Sequence, residues 1–226
     1  MNNEQRYAVE DEIFFESNMK NENILLARCY HEDSEHFYIV TELCDGNCHA
    51  KFKGHLKEAD KIPPVFIIFQ ILCGLFYLQT QKCIHRELNP SQVLFKNGVV
   101  KLAAIGHFKV FLEENLAKNE NIHYVSPQLL RRLPYSSKTD VFSLGVIAYQ
   151  LLQNGKLPWG EYSKYSDEGH YIAKMKEPLK FKEDIPKFQR DFLEKCLQFY
   201  ETDRMTVTQA LKHPVFGIWA EKIMDK

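Results

Sequence analysis

Residues 62–81, IPPVFIIFQILCGLFYLQTQ, carry no charged side chain, and this run constrains the fold more than any other part of the chain. Its dense apolar part, Val65 to Leu78, is shorter than the roughly 20 residues that a helix needs to cross a bilayer. Pro63 and Pro64 lead into it, as proline is tolerated at the start of a helix. A helix that is apolar on most faces is usually buried at the centre of a large domain. The run therefore predicts a central core helix rather than a membrane span.

The composition suits an ordinary folded domain. A chain of 226 residues with 45% hydrophobic side chains can bury one sizeable core or two small ones. The formal net charge of −1 gives no reason to expect nucleic acid or an anionic membrane as a partner. The cysteines are scattered, which is typical of reduced thiols, and the polar amino-terminal stretch MNNEQRYAVEDE does not resemble a signal peptide. We therefore expect a cytoplasmic protein.

One short cysteine-containing stretch looks like part of a metal site. Cys44, Cys48 and His49 in CDGNCH resemble half of a zinc-binding motif. A structural zinc site needs four ligands, and no second pair with ligand spacing follows. The sequence therefore predicts no metal site here.

The order of predicted elements indicates a small α/β part followed by a larger, mostly helical part, which is an α+β fold. In the small part, a helix over residues 8–18 precedes two strands, 25–31 and 36–42, joined by a polar turn. Residues 44–54 are rich in small and polar side chains, and they predict a connector.

Two local signals stand out in the larger part. Asn97-Gly98 lies between two short β runs and predicts a tight hairpin turn. Thr206 and Gln209 fit a capping box at the start of the last helix. The other elements predicted there are strands at 92–95 and 99–103, a loop at 106–123, and helices at about 140–154 and 187–199.

The stretch HRELNPSQVL, residues 85–94, lies between the uncharged helix and this hairpin. It resembles His-Arg-Asp-Leu-Lys-Pro-Glu-Asn, the catalytic loop of protein kinases, which has the same place in the order of elements. Because further segments match in the family's order, the chain is identified as a serine/threonine kinase-like member of the protein kinase superfamily. Those segments are Glu12 in helix C, Thr41 at the gatekeeper position, Ala104-Ile105-Gly106 for Asp-Phe-Gly, Ser126-Pro127-Gln128 for Ala-Pro-Glu, residues 135–145 at the start of the large C-lobe helix, and Arg204 with residues 210–216 near the end.

The resemblance implies a protein kinase-like fold over residues 1–226. Residues 1–43 are expected to form a truncated N-lobe, with helix C and two strands. Residues 44–54 would be the hinge and connector, and residues 55–226 a complete, mostly helical C-lobe. Residues 1–11 contain no glycine and no lysine, so the family's Gly-rich loop and catalytic lysine have no counterpart there.

The substitutions in the catalytic motifs affect each working part of phosphoryl transfer. Ala104 replaces the magnesium-binding aspartate, and Gln92 replaces the second ligand, asparagine, with its oxygen displaced by one methylene. Glu87 keeps a carboxylate in place of the catalytic aspartate, on a longer arm. Asn89 replaces the catalytic-loop lysine and removes a positive charge. We therefore expect no catalytic residues, no bound metal and no cofactor, and the vestigial nucleotide-site positions are Glu12, Thr41, Glu42, Cys44, Leu94 and Ala104.

The segment after the hairpin is altered too. Residues 107–123 contain no Ser, Thr or Tyr, so no phosphate can be attached there. Arg86, whose family role includes binding such a phosphate, loses this ligand. Gln128 replaces the glutamate that pairs with an arginine in the family, here Arg204. The structural motif residues, which the resemblance assigns to the architecture of the lobe, are His85, Arg86, Gly106, Pro127, Gln128, Asp140, Gly145 and Arg204.

The pattern of losses predicts a pseudokinase that acts in signalling by binding a protein, for example an active kinase or a scaffold, or by allosteric regulation. Candidate surfaces are the groove below the hinge, residues 155–185 with Trp159 and Tyr162 as exposed aromatic side chains, and the edge of the small sheet. Two alternatives remain open. One is an active serine/threonine kinase with atypical chemistry, which alone would use ATP and Mg²⁺, and the other is a truncated kinase fragment.

Overall fold

The structure is a computed structural model, and it describes residues 19–33, 36–56, 59, 61–103, 120–217 and 219. The predicted helix at 8–18 with Glu12, the motif Ala104-Ile105-Gly106 and most of the predicted loop at 106–123 lie outside these residues. The strands are β1 (Ala27–Glu32), β2 (Phe37–Thr41), β3 (Gly46–Asn47), β4 (Val93–Lys96) and β5 (Val99–Leu102), and the helices are α1 (Cys48–Phe52), α2 (Pro64–Thr80), α3 (Pro127–Leu130), α4 (Lys138–Leu152), α5 (Glu168–Lys174), α6 (Lys187–Cys196) and α7 (Val207–Leu211), with short 3₁₀ turns at Glu120–Tyr124, Tyr162–Lys164 and Pro214–Phe216.

The uncharged run forms the central helix α2, as predicted. It begins directly after Pro63, and most of its positions from 67 to 78 are buried in one continuous core. A Cβ added at Gly74 would lie 2.7 Å from the Leu102 side chain and 3.1 Å from the Asn23 carbonyl oxygen. The glycine therefore lets α2 approach β5 closely, and this contact packs the helix against the β4–β5 hairpin.

The hairpin predicted at Asn97-Gly98 is confirmed. Strands β4 and β5 pair antiparallel, from Val93 opposite Leu102 to Lys96 opposite Val99. Asn97 and Gly98 both have positive φ, +50° and +81°, which is the backbone that a tight two-residue hairpin turn requires.

The connector at 44–54 is more regular than the sequence indicates. Gly46 and Asn47 form strand β3, which pairs antiparallel with β4 and makes a three-stranded sheet. The side chain of Asn47 then accepts a hydrogen bond from the Ala50 N–H at 2.9 Å and caps helix α1. A strand of two residues leaves no periodic pattern, so only its partner strand reveals it.

Strands β1 and β2 form a separate two-stranded antiparallel sheet, at the positions where the sequence predicts two strands. All residues of β1 except Ala27 are exposed, and Tyr38 and Val40 on β2 are exposed as well. The register shifts between Ala27 and Cys29, which marks a bulge. This sheet thus carries apolar side chains on a surface that the rest of the described structure does not cover.

The predicted C-lobe helices are present, with shifted ends. Helix α4 begins at Lys138, two residues before the predicted start, and every residue from Thr139 to Gln150 is buried. Helix α6 ends at Cys196 rather than at 199. A Cβ at Gly145 would lie 2.8 Å from the Cys196 Cβ, so glycine allows α4 and α6 to pack closely. The predicted capping box at Thr206 and Gln209 is formed at the start of α7.

Trp159 and Tyr162, which were expected to be exposed aromatic side chains, are both at least partly covered. Trp159 is only 6% exposed, so its prediction as an exposed aromatic side chain is wrong, and Tyr162 is half-buried. The indole of Trp159 is covered because it stacks on the buried Phe142 of α4, with ring centroids 5.8 Å apart. In the part of the chain that the structure describes, no helix has the length and apolar character needed to cross a bilayer.

Candidate functional site

The loop that carries HRELNPSQVL is anchored by one buried carboxylate. Asp140, near the start of α4, accepts hydrogen bonds from the backbone N–H groups of His85 and Arg86, each at 2.8 Å. Burial raises the pKa of Asp140 to about 6, although the two N–H donors favour its charged form. Arg86 has φ +69°, an uncommon conformation for a residue with a side chain, and the bond to Asp140 holds it there. The anchor fixes the backbone of the loop directly before Glu87.

Glu87 has the carboxylate that stands at the position of the family's catalytic aspartate. It is half-buried, and burial raises its pKa. Among the residues that the structure describes, no hydrogen bond or ion pair to this carboxylate is formed. The group is therefore available to solvent or a ligand, and it is less readily ionised than an ordinary glutamate.

Asn89, which the motif resemblance aligns with the catalytic-loop lysine, forms hydrogen bonds inside the loop. Its side chain is only 3% exposed. The Asn89 amide Nδ2 donates to the Glu87 carbonyl oxygen at 2.8 Å, and its Oδ1 accepts from the Ser91 N–H at 2.9 Å. Both ends of the amide are thus used inside the loop, which is the Asx-turn geometry that asparagine favours. The neutral Asn89 amide thus stabilises the backbone of the loop.

The backbone continues this bracing as far as strand β5. The N–H of Gln92 donates to the Asn89 carbonyl at 3.0 Å, and the Gln92 carbonyl accepts from the Ala103 N–H at 3.0 Å. Leu94 follows on β4, half-buried and opposite Lys101 of β5. These bonds hold Gln92 beside the chain that leads to Ala104, and Ala104 itself lies outside the described residues.

The hinge positions after β2 contain an ion-pair cluster that was not predicted. The Glu42 carboxylate binds Lys96 Nζ at 3.1 Å and Lys101 Nζ at 3.0 Å. Burial favours the neutral acid, but the hydrogen bonds and charges of the two lysines outweigh it and lower the pKa of Glu42. The Thr41 hydroxyl and the Cys44 thiol both approach the Glu42 carbonyl oxygen, at 3.3 and 3.8 Å. The hinge is therefore tied to the hairpin β4–β5.

The motif Ser126-Pro127-Gln128 packs against the buried arginine. Pro127 is the first residue of α3, and Gln128 Oε1 accepts from Arg204 Nη2 at 2.9 Å. The guanidinium also donates to the carbonyl oxygens of Gln198 and Lys138 at 2.8–3.1 Å. Burial lowers the pKa of Arg204 to about 10, so the side chain stays charged at neutral pH. Backbone carbonyl oxygens thus accept hydrogen bonds from the guanidinium that would otherwise be made in part to a carboxylate.

A cavity of about 800 Å³ lies beside Pro90 and Ser91, at the end of the loop. His123 in its wall is buried; its Nε2 lies 3.3 Å from a Glu161 carboxylate oxygen, and its Nδ1 lies 3.2 Å from the Tyr171 hydroxyl. Burial lowers the pKa of His123, and Glu161 offsets this only in part. Sequence reasoning missed this trio, since its members come from three separated segments and no motif links them.

The donor set does not fit nucleotide-bound magnesium. This ion needs several oxygen ligands in nearly octahedral geometry. Of the loop residues, Asn89 is fully engaged, whereas Glu87 and Gln92 offer side-chain oxygens, and the sequence places a methyl group at Ala104. Within the described ranges, no group of three His, Cys, Asp or Glu side chains is placed to hold a metal.

Comparison with known proteins agrees with the fold. The family model described as "Protein kinase domain" matches residues 1–216. The chain is 28% identical over 215 residues to an Aurora kinase of Eremothecium gossypii. The aligned region covers 93% of this chain and 56% of that protein. It is 27% identical over 207 residues to mouse Aurora kinase C, with 90% of this chain and 73% of the relative covered. An Aurora kinase of Candida glabrata is 30% identical over 207 residues, and the chain spans 56% of its length.

Proposed function

We propose that this chain, which belongs to the protein kinase domain family, is a catalytically impaired member of that family. In this proposal it acts by binding other proteins. One observation carries the proposal. The buried side chain of Asn89 braces the catalytic-loop backbone in the place where an active kinase presents a cation to the transferring phosphate. A lysine side chain there would have to displace both of these hydrogen bonds.

The other substitutions act in the same direction. Phosphoryl transfer in this family depends on metal ions that bridge the phosphates and on a carboxylate that accepts the hydroxyl proton. Ala104 supplies no oxygen, and the raised pKa of Glu87 accompanies a longer side chain than aspartate. A misplacement of about 1 Å costs roughly 10²-fold in rate. Together these changes leave no effective route for transfer, so we infer no ATP or Mg²⁺ requirement.

A binding role is supported by the surface of the β1–β2 sheet. Tyr30 is 59% exposed, Val40 47% and Leu43 89%. By the strand register, Tyr30 and Val40 lie on opposite faces of the sheet, and Leu43 follows β2. Exposed apolar side chains on a small sheet favour association with another protein. We propose an active kinase or a scaffold as the class of partner, and a cytoplasmic location, in keeping with six cysteines that are all free thiols in the structure.

A phosphate-transfer assay with radiolabelled ATP, Mg²⁺ and a generic serine/threonine substrate tests this function. The wild-type chain, Glu87→Ala and Glu87→Asp are compared, because the first removes the carboxylate and the second restores the family's residue. We expect all three to remain at the level of a sample without protein. Transfer above that level that disappears in Glu87→Ala would refute the proposal.

That refuting result would establish the alternative function, an active serine/threonine kinase with atypical nucleotide chemistry. The free carboxylate of Glu87 favours it, because this group has no competing partner among the described residues. The alternative needs ATP and Mg²⁺ as cofactors, and it predicts that Glu87→Asp is more active than the wild type.

A further inference from the structure

A second cavity, of about 410 Å³, lies in the helical part of the molecule, away from the catalytic loop. It is formed by the carboxyl-terminal end of α4, by residues 156–160 and by residues 177–182 after α5. None of its lining residues belongs to the loop at 85–94 or to the hinge. Its volume falls in the range of small-ligand sites. What it binds is therefore independent of the proposed function.

The charge of the lining residues is strongly positive. Among the described residues of the lining, the one carboxylate, that of Glu177, forms an ion pair with Lys174, so the other lysines have no carboxylate partner in this wall. This excess is local, since the whole chain has a formal net charge of −1. The lysines that line the cavity are Lys156, Lys174, Lys180 and Lys182.

The lysine-bearing segment is fixed to the helix beneath it. The buried Tyr149 hydroxyl donates to the Lys180 carbonyl oxygen, and the buried Gln153 Oε1 accepts from the Lys182 N–H at 3.1 Å. Between them, the Phe181 ring packs on Tyr149 with centroids 5.9 Å apart. The backbone that carries two of the four ammonium groups is therefore held in place before any ligand arrives, which lowers the entropic cost of binding.

The wall also contains a buried donor without an acceptor. Trp159 lines the cavity, and its indole N–H has no hydrogen-bond partner within the part of the chain that the structure describes. The ring is held by its stacking on Phe142, and the Tyr165 hydroxyl binds the Trp159 carbonyl oxygen. The indole nitrogen itself has almost no accessible surface, so Trp159 contributes a fixed aromatic ring to the wall rather than a donor to the cavity.

We propose that this cavity is a binding site for a phosphate monoester. A phosphate monoester carries about −1.5 to −2 charges at neutral pH and several strong acceptor oxygens, which matches the excess of ammonium groups in the lining. Lysine is a common phosphate ligand, as a point charge that needs no fixed planar geometry. Leu157, Pro158 and Pro178 provide an apolar wall for the organic part of the ester.

The two tryptophans allow a direct test by NMR. The ¹⁵N-labelled chain is titrated with phenyl phosphate at constant ionic strength, and the two indole N–H resonances are followed. Trp219 is the internal control, because it packs on Phe66, 5.1 Å between ring centroids, outside the cavity. We expect a saturable shift of the Trp159 resonance with Trp219 unmoved, and no shift with phenol. An unmoved Trp159 resonance, or equal shifts with phenol, would overturn the site.

Lysine variants test the contribution of charge. Lys180→Gln with Lys182→Gln is expected to weaken binding at least about tenfold, whereas the exposed Lys212→Gln, outside the cavity, leaves it unchanged. Folding of each variant is checked on the Trp219 resonance. Unchanged affinity in the double lysine variant, with the fold intact, would contradict the proposal.

The source of the phosphate is distinguished by a second pair of probes. A tyrosine-phosphorylated peptide is compared with phenyl phosphate and with the unphosphorylated peptide. Tighter binding of the phosphopeptide assigns the site to phosphorylated proteins, and equal binding of both esters assigns it to small phosphorylated molecules. Binding of the unphosphorylated peptide with equal affinity would overturn the phosphate assignment.

Discussion

The catalytic loop and the β1–β2 sheet have opposite relations to the rest of the molecule. The loop is braced at each step, by Asp140 at its start and by Asn89 in its middle. Within the described residues the sheet has two strands, and apolar side chains such as Tyr30 and Val40 stay exposed on it. A loop with so much internal bonding resists change in shape, and a sheet with so little burial contributes little to stability.

The difference shows which interactions hold this fold. Asp140, which anchors the loop, and Arg204, which binds the segment around Gln128, are both buried and bind backbone atoms of other segments. The sheet side chains at Tyr30 and Val40 have no such role within the described structure. Substitutions in the two regions should therefore differ by several kcal/mol in their effect on the free energy of unfolding, and variants in either region test the comparison.

The largest effect is expected for Arg204→Leu. It removes the donor for the carbonyl oxygens of Lys138 and Gln198 and for Gln128 Oε1, all in a buried setting. We expect a loss of about 3 kcal/mol of unfolding free energy, because buried acceptors lose their partner. Urea denaturation measures it. The exposed Arg190→Leu is the control, with an expected change within about 0.5 kcal/mol, and equal losses for the two would contradict the account.

A smaller loss is expected for Asp140→Asn. Asparagine keeps one acceptor oxygen and directs an NH₂ group toward the second of two N–H donors, those of His85 and Arg86. The unfolding free energy at pH 7 should fall by about 2 kcal/mol. Faster hydrogen exchange at the Arg86 amide would locate the effect in the loop. A variant as stable as the wild type would show that the loop does not depend on this anchor.

The same carboxylate predicts a pH dependence with a definite sign. Its pKa in the folded protein, about 6, lies above the ordinary value of 3.8. The folded state therefore binds more protons between these values, so the contribution of Asp140 is complete below about pH 4 and is lost as the pH rises through 6. Relative to Asp140→Asn, the wild type should gain about 1 kcal/mol between pH 7 and pH 5. Urea denaturation at both pH values measures this, and a relative loss on acidification would contradict the raised pKa.

The helix cap at the end of the domain should give an effect of intermediate size. Thr206→Ala breaks the capping box with Gln209. We expect a loss of about 1 kcal/mol of unfolding free energy. Thr208→Ala, inside the same helix, is the matched control and should cost less, since alanine favours helix interiors. The order would be reversed if the cap were not formed in solution.

The smallest effect is expected in the β1–β2 sheet. Val40→Thr changes a strand residue that is 47% exposed, and Val100→Thr makes the same change at a buried position in β5. We expect the first within about 0.5 kcal/mol of the wild type and the second about 1–2 kcal/mol less stable, because the hydroxyl is buried only there. Thermal melting compares the two. Equal costs would show that the sheet is covered in the folded protein.

Local signals in the sequence were sufficient where a structure depends on neighbouring residues. The Asn97-Gly98 turn, the Thr206 cap and the central helix at 64–80 follow from turn chemistry, capping and apolar density. The family followed from the order of the motifs, and the match of the protein kinase domain model to residues 1–216 confirms the family.

Long-range contacts were not predictable in the same way. Glu42 lies more than fifty residues from the lysines that bind it, Lys96 and Lys101. Trp159 is adjacent to polar loop residues in the sequence, but its burial depends on stacking with Phe142 from another element. Exposure and ion pairing of this kind depend on tertiary packing, and a single sequence contains no periodic signal for them.

The most direct test of the central claim, that the loop keeps its shape without its metal and phosphate chemistry, is thermal melting of the purified chain with ATP, with and without Mg²⁺. The account predicts no magnesium-dependent rise in Tm, because a ligand that does not bind the folded state cannot stabilise it. A rise that requires Mg²⁺ and disappears in both Glu87→Ala and Gln92→Ala would contradict the account.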